Sequence, residues 1–428
     1  MLFKDISVIC EGLDVRGNMY VGTAEDKIEY IGTKIPEKDY GETYDGKGKL
    51  LMSGFYNAHA HSPMTLLRGY GENMRLAQWL DEKIFPFEAK LNEDDVYWGT
   101  LLALAESVRY GIVSSTDMYY HCDRMAEAVL ESGTKNNLSR GIVNFSDLSI
   151  KEQQSYGEIG SVFKEYHNAG NGRIKIDICV HAEYTSNPET VGVISAYARE
   201  LGLNMHLHLS ETKQEHDGCK ARHNKTPAEY FNDLGGFDAK TTAAHCVWLE
   251  GDDFDILAAK GVSVATCPVS NMKLASGICN VPLLLEKGVN VALGTDSVSS
   301  NNNLNFIEDM KFLACAAKVR DMDPTALTPK DVIYAATKAG ADSQGRDDCG
   351  TVRQGNKADL IILDIDQPYM YPVHDVLTNI VYSASGSDIK MTMADGKILY
   401  KDGEYKTMDI EKIIFETEKS KTRILSEL

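Results

Sequence analysis

A chain of 428 residues is long enough for a barrel of roughly 250 residues with an accessory domain, and 43% hydrophobic with 25% charged side chains is ordinary globular usage, which excludes disordered, collagen-like and coiled-coil classes. Forty-four basic against 63 acidic side chains give a formal charge of −19, which repels phosphate backbones and argues against a nucleic-acid partner. Nine cysteines without a CxxC pair, a start unlike a secretory signal and no apolar run near ~18 residues lead to the expectation of a cytoplasmic protein with no disulfide framework and no membrane partner.

Residues 1–52 carry alternating runs with turn dipeptides, as in NMYVGTAEDKIEYIG, and predict short antiparallel strands. From residue 51 onward short apolar runs alternate with helix-patterned stretches, the pattern of repeated βα units around a parallel sheet. Eight candidate strands follow, at 51–62, 112–120, 140–147, 173–184, 204–210, 241–246, 262–270 and 289–297. After the first comes DDVYWGTLLALAESVRYG, where Val96, Leu101, Leu104, Ala105 and Val108 recur at three- and four-residue steps before Gly111. Eight such units predict an α/β fold, a closed (β/α)₈ TIM barrel over 53–350. The lack of GxGxxG after a first strand argues against an open doubly wound sheet. Residues 351–428 return to alternation in ADLIILDI and IKMTMADGKILYKDGEY, then end in a charged, helix-prone tail from Met408 to Leu428. The two β-rich ends flank the barrel and are expected to meet as one small β-sandwich domain.

Barrel enzymes hold their catalytic groups at the C-terminal ends of the strands. The first candidate strand closes on His59 and His61, alternate residues that share a face and can reach one metal ion. The fifth closes on His206-Leu207-His208-Leu209-Ser210-Glu211, the sixth on Ala244-His245-Cys246 and the eighth on Gly294-Thr295-Asp296. Imidazoles from several strands plus a carboxylate form a coherent set for Zn²⁺ or Fe²⁺ with one position left for water. Binuclear barrel hydrolases bridge their metals with a carboxylated lysine at a central strand end. This chain has Val180-His181-Ala182-Glu183 there, so a single divalent ion is expected, zinc ahead of iron. His181-Ala182-Glu183 also imitates the HxE of the cytidine-deaminase fold, but no PCxxC accompanies Cys267-Pro268.

These residues stand within NAHAHSPMTLLRGYGENMRLAQWL, EKIFPFEAKL, HLHLSET, AAHCVWL, CPVSNMKLASGI, LGTDSVSSNNNLN and GNKADLIILD. Over nearly its whole length the sequence resembles the amidohydrolase superfamily, in its methylthioadenosine/S-adenosylhomocysteine deaminase and chlorohydrolase branch. The resemblance implies that His59, His61, His208 and Asp296 hold the metal, that His245 orients the attacking water, and that Glu211 donates a proton to the purine ring while Asp296 takes one from the water. It further implies Glu88 on the ribose hydroxyls, Trp79 on the apolar rim, His181 and Ser300 on the base, and Arg140 at the amino-acid end of larger substrates. His206 departs from the pattern and reads as a lower-layer barrel residue, because only His208 keeps the spacing to Glu211. A second basic residue expected of members that accept S-adenosylhomocysteine is matched only by Lys151, out of alignment. Methylthioadenosine, 5′-deoxyadenosine and adenosine therefore stand beside S-adenosylhomocysteine as substrates of a purine nucleoside deaminase. The competing reading keeps fold and metal but displaces chloride or an amine from a triazine, guanine or pterin-like ring; a ribose contact at Glu88 has no purpose there. Barrels of this kind often associate, so a homo-oligomer is expected.

Overall fold

The computed structural model describes residues 1–428 apart from Asp147, and Ala77 without its side chain. In chain order the first strands are β1 (Leu2–Ile9), β2 (Val15–Ala24), β3 (Lys27–Gly32), β4 (Thr43–Asp45) and β5 (Lys49–Ser53). Then follow β6 (Phe55–Ala60), β7 (Ile112–Tyr119), β8 (Lys135–Arg140), β9 (Ile174–Cys179), β10 (Met205–Leu209), β11 (Thr241–His245), β12 (Ser263–Thr266) and β13 (Asn290–Leu293). The last are β14 (Leu360–Asp364), β15 (Ile389–Ala394), β16 (Lys397–Lys401) and β17 (Glu404–Tyr405).

Strands β6 to β13 form one eight-stranded parallel sheet in sequential order, with helices between successive strands. Its two edges meet at a parallel bridge between Ala60 and Asp296, reinforced by the Asp296 amide on the His59 carbonyl at 3.0 Å and the Thr295 amide on Asn57 Oδ1 at 3.0 Å. The barrel thus closes through the segments that carry His59 and Asp296. Both chain ends join in a second sheet of nine strands, where β14 pairs antiparallel with β5 from Leu360–Ser53 to Asp364–Lys49. The tail helix Ile410–Ser426 lies against the helix Glu93–Arg109, with Arg423 paired to Asp95.

Two expectations change in detail. The single run predicted at 51–62 is two strands in different sheets, broken at Gly54, where a Cβ would come within 2.5 Å of Val113 Cγ1. Only a residue without a side chain lets the chain pass that closely from one sheet to the other. The third barrel strand is Lys135–Arg140, not 140–147; Asp147, the last residue of the predicted run, lies outside the described residues. Its sequence, KNNLSR, escapes a hydrophobic criterion because its burial is polar. Asn137 donates to Asp177 at 3.0 Å, Asn136 to Asp117 at 3.4 Å, and Lys135 is ion-paired with Asp359 and Asp395. Buried polar groups satisfied in this way replace the apolar pattern as the mark of a core strand.

Candidate metal centre

The C-terminal ends of β6, β10, β11 and β13 bring His59, His61, His208, His245 and Asp296 to one end of the barrel. Each imidazole gives one ring nitrogen to an acceptor behind it. His61 Nδ1 lies 2.7 Å from the Met118 carbonyl, His208 Nδ1 2.7 Å from the His181 carbonyl, and His245 Nδ1 2.8 Å from Asn271 Oδ1. A carbonyl accepts only from N–H, so Nδ1 carries the proton in His61 and His208 and the Nε2 lone pair faces the centre. His59 Nδ1 faces His206 Nε2 at 2.9 Å, and its own Nε2 points inward.

The inward-facing nitrogens of that centre are arranged as a cation requires. His59 Nε2 is fully buried without a hydrogen-bond partner among the described residues, and the Nε2 atoms of His61 and His208 face each other at 3.3 Å. Lone pairs turned toward one another over that distance repel unless a positive charge lies among them. Asp296 Oδ1 completes the cluster at 3.5 Å from His59 Nε2 and 3.4 Å from His61 Nε2. Three neutral nitrogens and a carboxylate oxygen are the donor chemistry of a divalent zinc-type site, so the residues fit one such ion.

Electrostatics agree with neutral imidazoles around an ionised carboxylate. Burial holds the His59 pKa down at about 3, and burial with the neighbouring imidazoles holds that of His208 well below the usual range. Burial works against ionisation of Asp296, yet the surrounding histidines keep its carboxyl well below the usual value. Its Oδ2 accepts from Ser270 Oγ at 2.6 Å and from Ser300 Oγ at 2.8 Å, which leaves Oδ1 for the cluster. Asp296 and His245 both have positive φ, 60° and 71°, and Ser210 after β10 has 49°. Such conformations cost about 1 kcal/mol or more for non-glycine residues and gather where a strand end must turn a side chain across a site.

Above the cluster is a cavity holding about 830 Å³ of empty space, lined by His61, His208, His245, Asp296, Trp79, Glu88, His181, Glu211 and Ser300 among others. Nine of the eleven residues predicted for the site therefore line this one cavity; His59 is fully buried within the cluster, and Arg140 does not line the cavity. Glu211 Oε2 lies 3.9 Å from His245 Nε2, and burial raises its pKa. Its amide donates to Glu215 Oε2 at 2.7 Å, while the Ser210 amide donates to Glu215 Oε1 at 2.9 Å, so the Glu215 carboxylate clamps the turn that presents Glu211. Glu88 accepts from Tyr119 OH at 2.6 Å, and burial raises its pKa to about 7 although part of its surface stays open to the cavity. Ser300, expected on the base, gives its hydroxyl to Asp296, and His181 Nδ1 pairs with Thr185 Oγ1 at 3.0 Å. Arg140 lies in the adjoining cavity, ion-paired with Glu158.

Tyr119, Glu215, Ser270 and Asn271 carry no mark in the sequence, and His206, read there as a lower-layer barrel residue, faces His59. His206 supports its neighbour from behind, and groups in that position commonly set metal affinity by 10–100-fold. Replacing His206 with phenylalanine is expected to weaken zinc binding by about 10-fold or more, read by competition with a chromogenic chelator. Unchanged affinity in a folded variant would remove His206 from the support of His59.

The sequence profile of the amidohydrolase family matches residues 50–399. A relative from Dictyoglomus thermophilum named 5-methylthioadenosine/S-adenosylhomocysteine deaminase is 40% identical over 419 residues, covering 98% of this chain and 97% of its own. A Methanosarcina mazei protein named 5′-deoxyadenosine deaminase is 40% identical over 413 residues, 96% of this chain and 95% of its own. The crystal structure of an adenosine deaminase from Xanthomonas campestris with bound zinc superposes with a TM-score of 0.93 at 29% identity, covering 99% of this chain and 98% of that one.

Proposed function

The chain belongs to the amidohydrolase family, and from that premise we propose that it hydrolyses the 6-amino group of an adenosine-type nucleoside to the inosine analogue and ammonia, using one zinc ion. The observation that carries the reading is the convergence, at one cavity, of an inward-facing histidine–aspartate cluster, a buried carboxylic acid at Glu211 and a second carboxylate at Glu88 beyond it. His59, His61, His208 and Asp296 would hold the metal. When bound, such an ion lowers the pKa of water to about 7 and so supplies a nucleophile at neutral pH.

The chain's own side chains account for the proton movements. Addition of water oxygen to C6 pushes electrons onto ring N1, which needs a proton as the C–O bond forms. Glu211, kept protonated more readily by burial, donates it. The Asp296 carboxylate, fixed by Ser270 and Ser300, accepts the proton released by water. His245, raised in pKa by the Glu211 and Asp296 carboxylates despite its burial, donates a hydrogen bond toward the attacking oxygen. The C6–N6 bond then breaks as the departing amine takes the proton held by Asp296, the new C6 hydroxyl returns its proton to Glu211, and ammonia leaves with no change of oxidation state. Glu88 receives the ribose hydroxyls, Trp79 closes the apolar rim, and His181 flanks the base. Among the described residues no helix is long and apolar enough to cross a membrane, and the nine cysteines are unpaired, which supports a reducing compartment such as the cytoplasm.

The test is ammonia release and the ultraviolet change from adenine to hypoxanthine, measured on zinc-loaded protein with adenosine, 5′-deoxyadenosine, methylthioadenosine, S-adenosylhomocysteine, guanine and a chloro-triazine. Turnover of adenine nucleosides with a requirement for ribose is expected. Activity confined to rings without ribose would overturn the nucleoside assignment.

A further inference from the structure

Beside the cavity just described is a larger, open one of about 2040 Å³, which shares Phe85, Glu88 and Tyr120 with it. If Glu88 holds the ribose, this second space is where a 5′ substituent extends, an inference that rests on the function proposed above. Its charged wall is one-sided. Glu88, Glu93, Asp123, Glu158 and Glu165 line it against a single guanidinium, that of Arg140.

That guanidinium is already engaged. Arg140 Nε donates to Glu158 Oε2 at 2.5 Å, Nη1 donates to the Gly141 carbonyl, and the group lies 5.0 Å from the Tyr120 ring centre. Gln154 Nε2 holds the other oxygen of Glu158 at 2.8 Å. Strong carboxylate recognition by arginine needs two parallel N–H groups along one edge of the fork. Here one donor is spent on each edge, and the charge itself is matched by Glu158.

We propose that the Arg140–Glu158 pair, set in an acidic wall beyond Glu88, makes this enzyme select against 5′ groups ending in a carboxylate and for short neutral ones such as hydrogen, hydroxyl or methylthio. An incoming carboxylate has to displace Glu158 from Arg140 and approach four further acids; the α-ammonium of an amino-acid end offsets the second cost but not the first. A methylthio group meets neither cost. Glu158 is thus a specificity-determining residue acting through Arg140, with no part in the bond-breaking steps.

The experiment compares kcat/KM for methylthioadenosine and S-adenosylhomocysteine in the wild type, Glu158→Gln and Arg140→Gln, each checked for folding by circular dichroism. The wild type is expected to favour methylthioadenosine by about 10-fold or more, and the preference weakens with added salt because the opposing charges are solvent-screened. Glu158→Gln is expected to narrow the ratio by about 5-fold, mainly through KM for S-adenosylhomocysteine, the size expected of a partly exposed charge. Arg140→Gln leaves Glu158 unmatched and should widen the wild-type preference by no more than about 5-fold. A selective loss of about 10-fold or more on S-adenosylhomocysteine in Arg140→Gln would show that Arg140 binds the carboxylate and would overturn the inference. So would a ratio unmoved by Glu158→Gln. Wild-type protein inactive on both nucleosides would instead overturn the function on which the inference rests.

Discussion

Replacing Glu211 with glutamine is expected to lower kcat for adenine-nucleoside deamination by about 10²–10⁴-fold, with zinc content unchanged. The two side chains have the same shape, and the turn that presents them is held by backbone amides on Glu215, which the substitution does not touch. A glutamine amide can still donate a hydrogen bond to ring N1, so KM is expected to change little. It cannot transfer a proton, and the loss corresponds to about 3–5 kcal/mol in the barrier. Steady-state kinetics with metal analysis on the same preparation decide the matter. A kcat within about 3-fold of wild type would remove Glu211 from proton transfer, and a parallel loss of zinc would show that it acts on the metal site instead.

The reason Glu211 could be picked out in the sequence, and Glu215 could not, is instructive about what a sequence exposes. His208 and Glu211 stand three residues apart on one strand end, so a local pattern contains both. Glu215 stands only four residues beyond Glu211, but its part is to accept from two backbone amides, and no residue type marks that in advance. The partners of Asp296 and His245 are further from reach. Ser270 and Asn271 meet them across 26 residues of chain, and His206 meets His59 across 147. Such contacts exist only once the barrel has closed. The same holds for the strands: seven of the eight candidates fall on the observed barrel strands because apolar runs mark them, whereas the candidate at 140–147 meets β8 only at Arg140, since β8 is buried through Asn136, Asn137 and Lys135, and only partners on other strands make that burial tolerable. Arg140 shows the limit for binding residues. Its identity is legible, but Glu158, which matches its charge, arrives from the helix Gln154–Tyr166.

Replacing Asp296 with asparagine is expected to give the largest loss, about 10³-fold or more in kcat, together with weaker zinc binding. The structure makes this substitution a test of charge more than of shape. Oδ2 accepts from Ser270 and Ser300, whose hydroxyls can rotate to accept from an amide NH₂ instead. The asparagine oxygen then keeps the position of Oδ1, facing His59 and His61, but as a neutral acceptor. Two proposed functions are expected to fail together: the negative charge that would balance a divalent ion among neutral imidazoles, and the base that would accept the proton of the attacking water. Zinc titration separates them. Under saturating zinc the binding defect is repaired by mass action, while the missing base is not, so kcat should stay low when the site is full. Recovery of kcat to within about 10-fold of wild type at saturating zinc would confine Asp296 to holding the metal and would move the proton acceptor to another residue, with His245 on the same cavity wall the candidate.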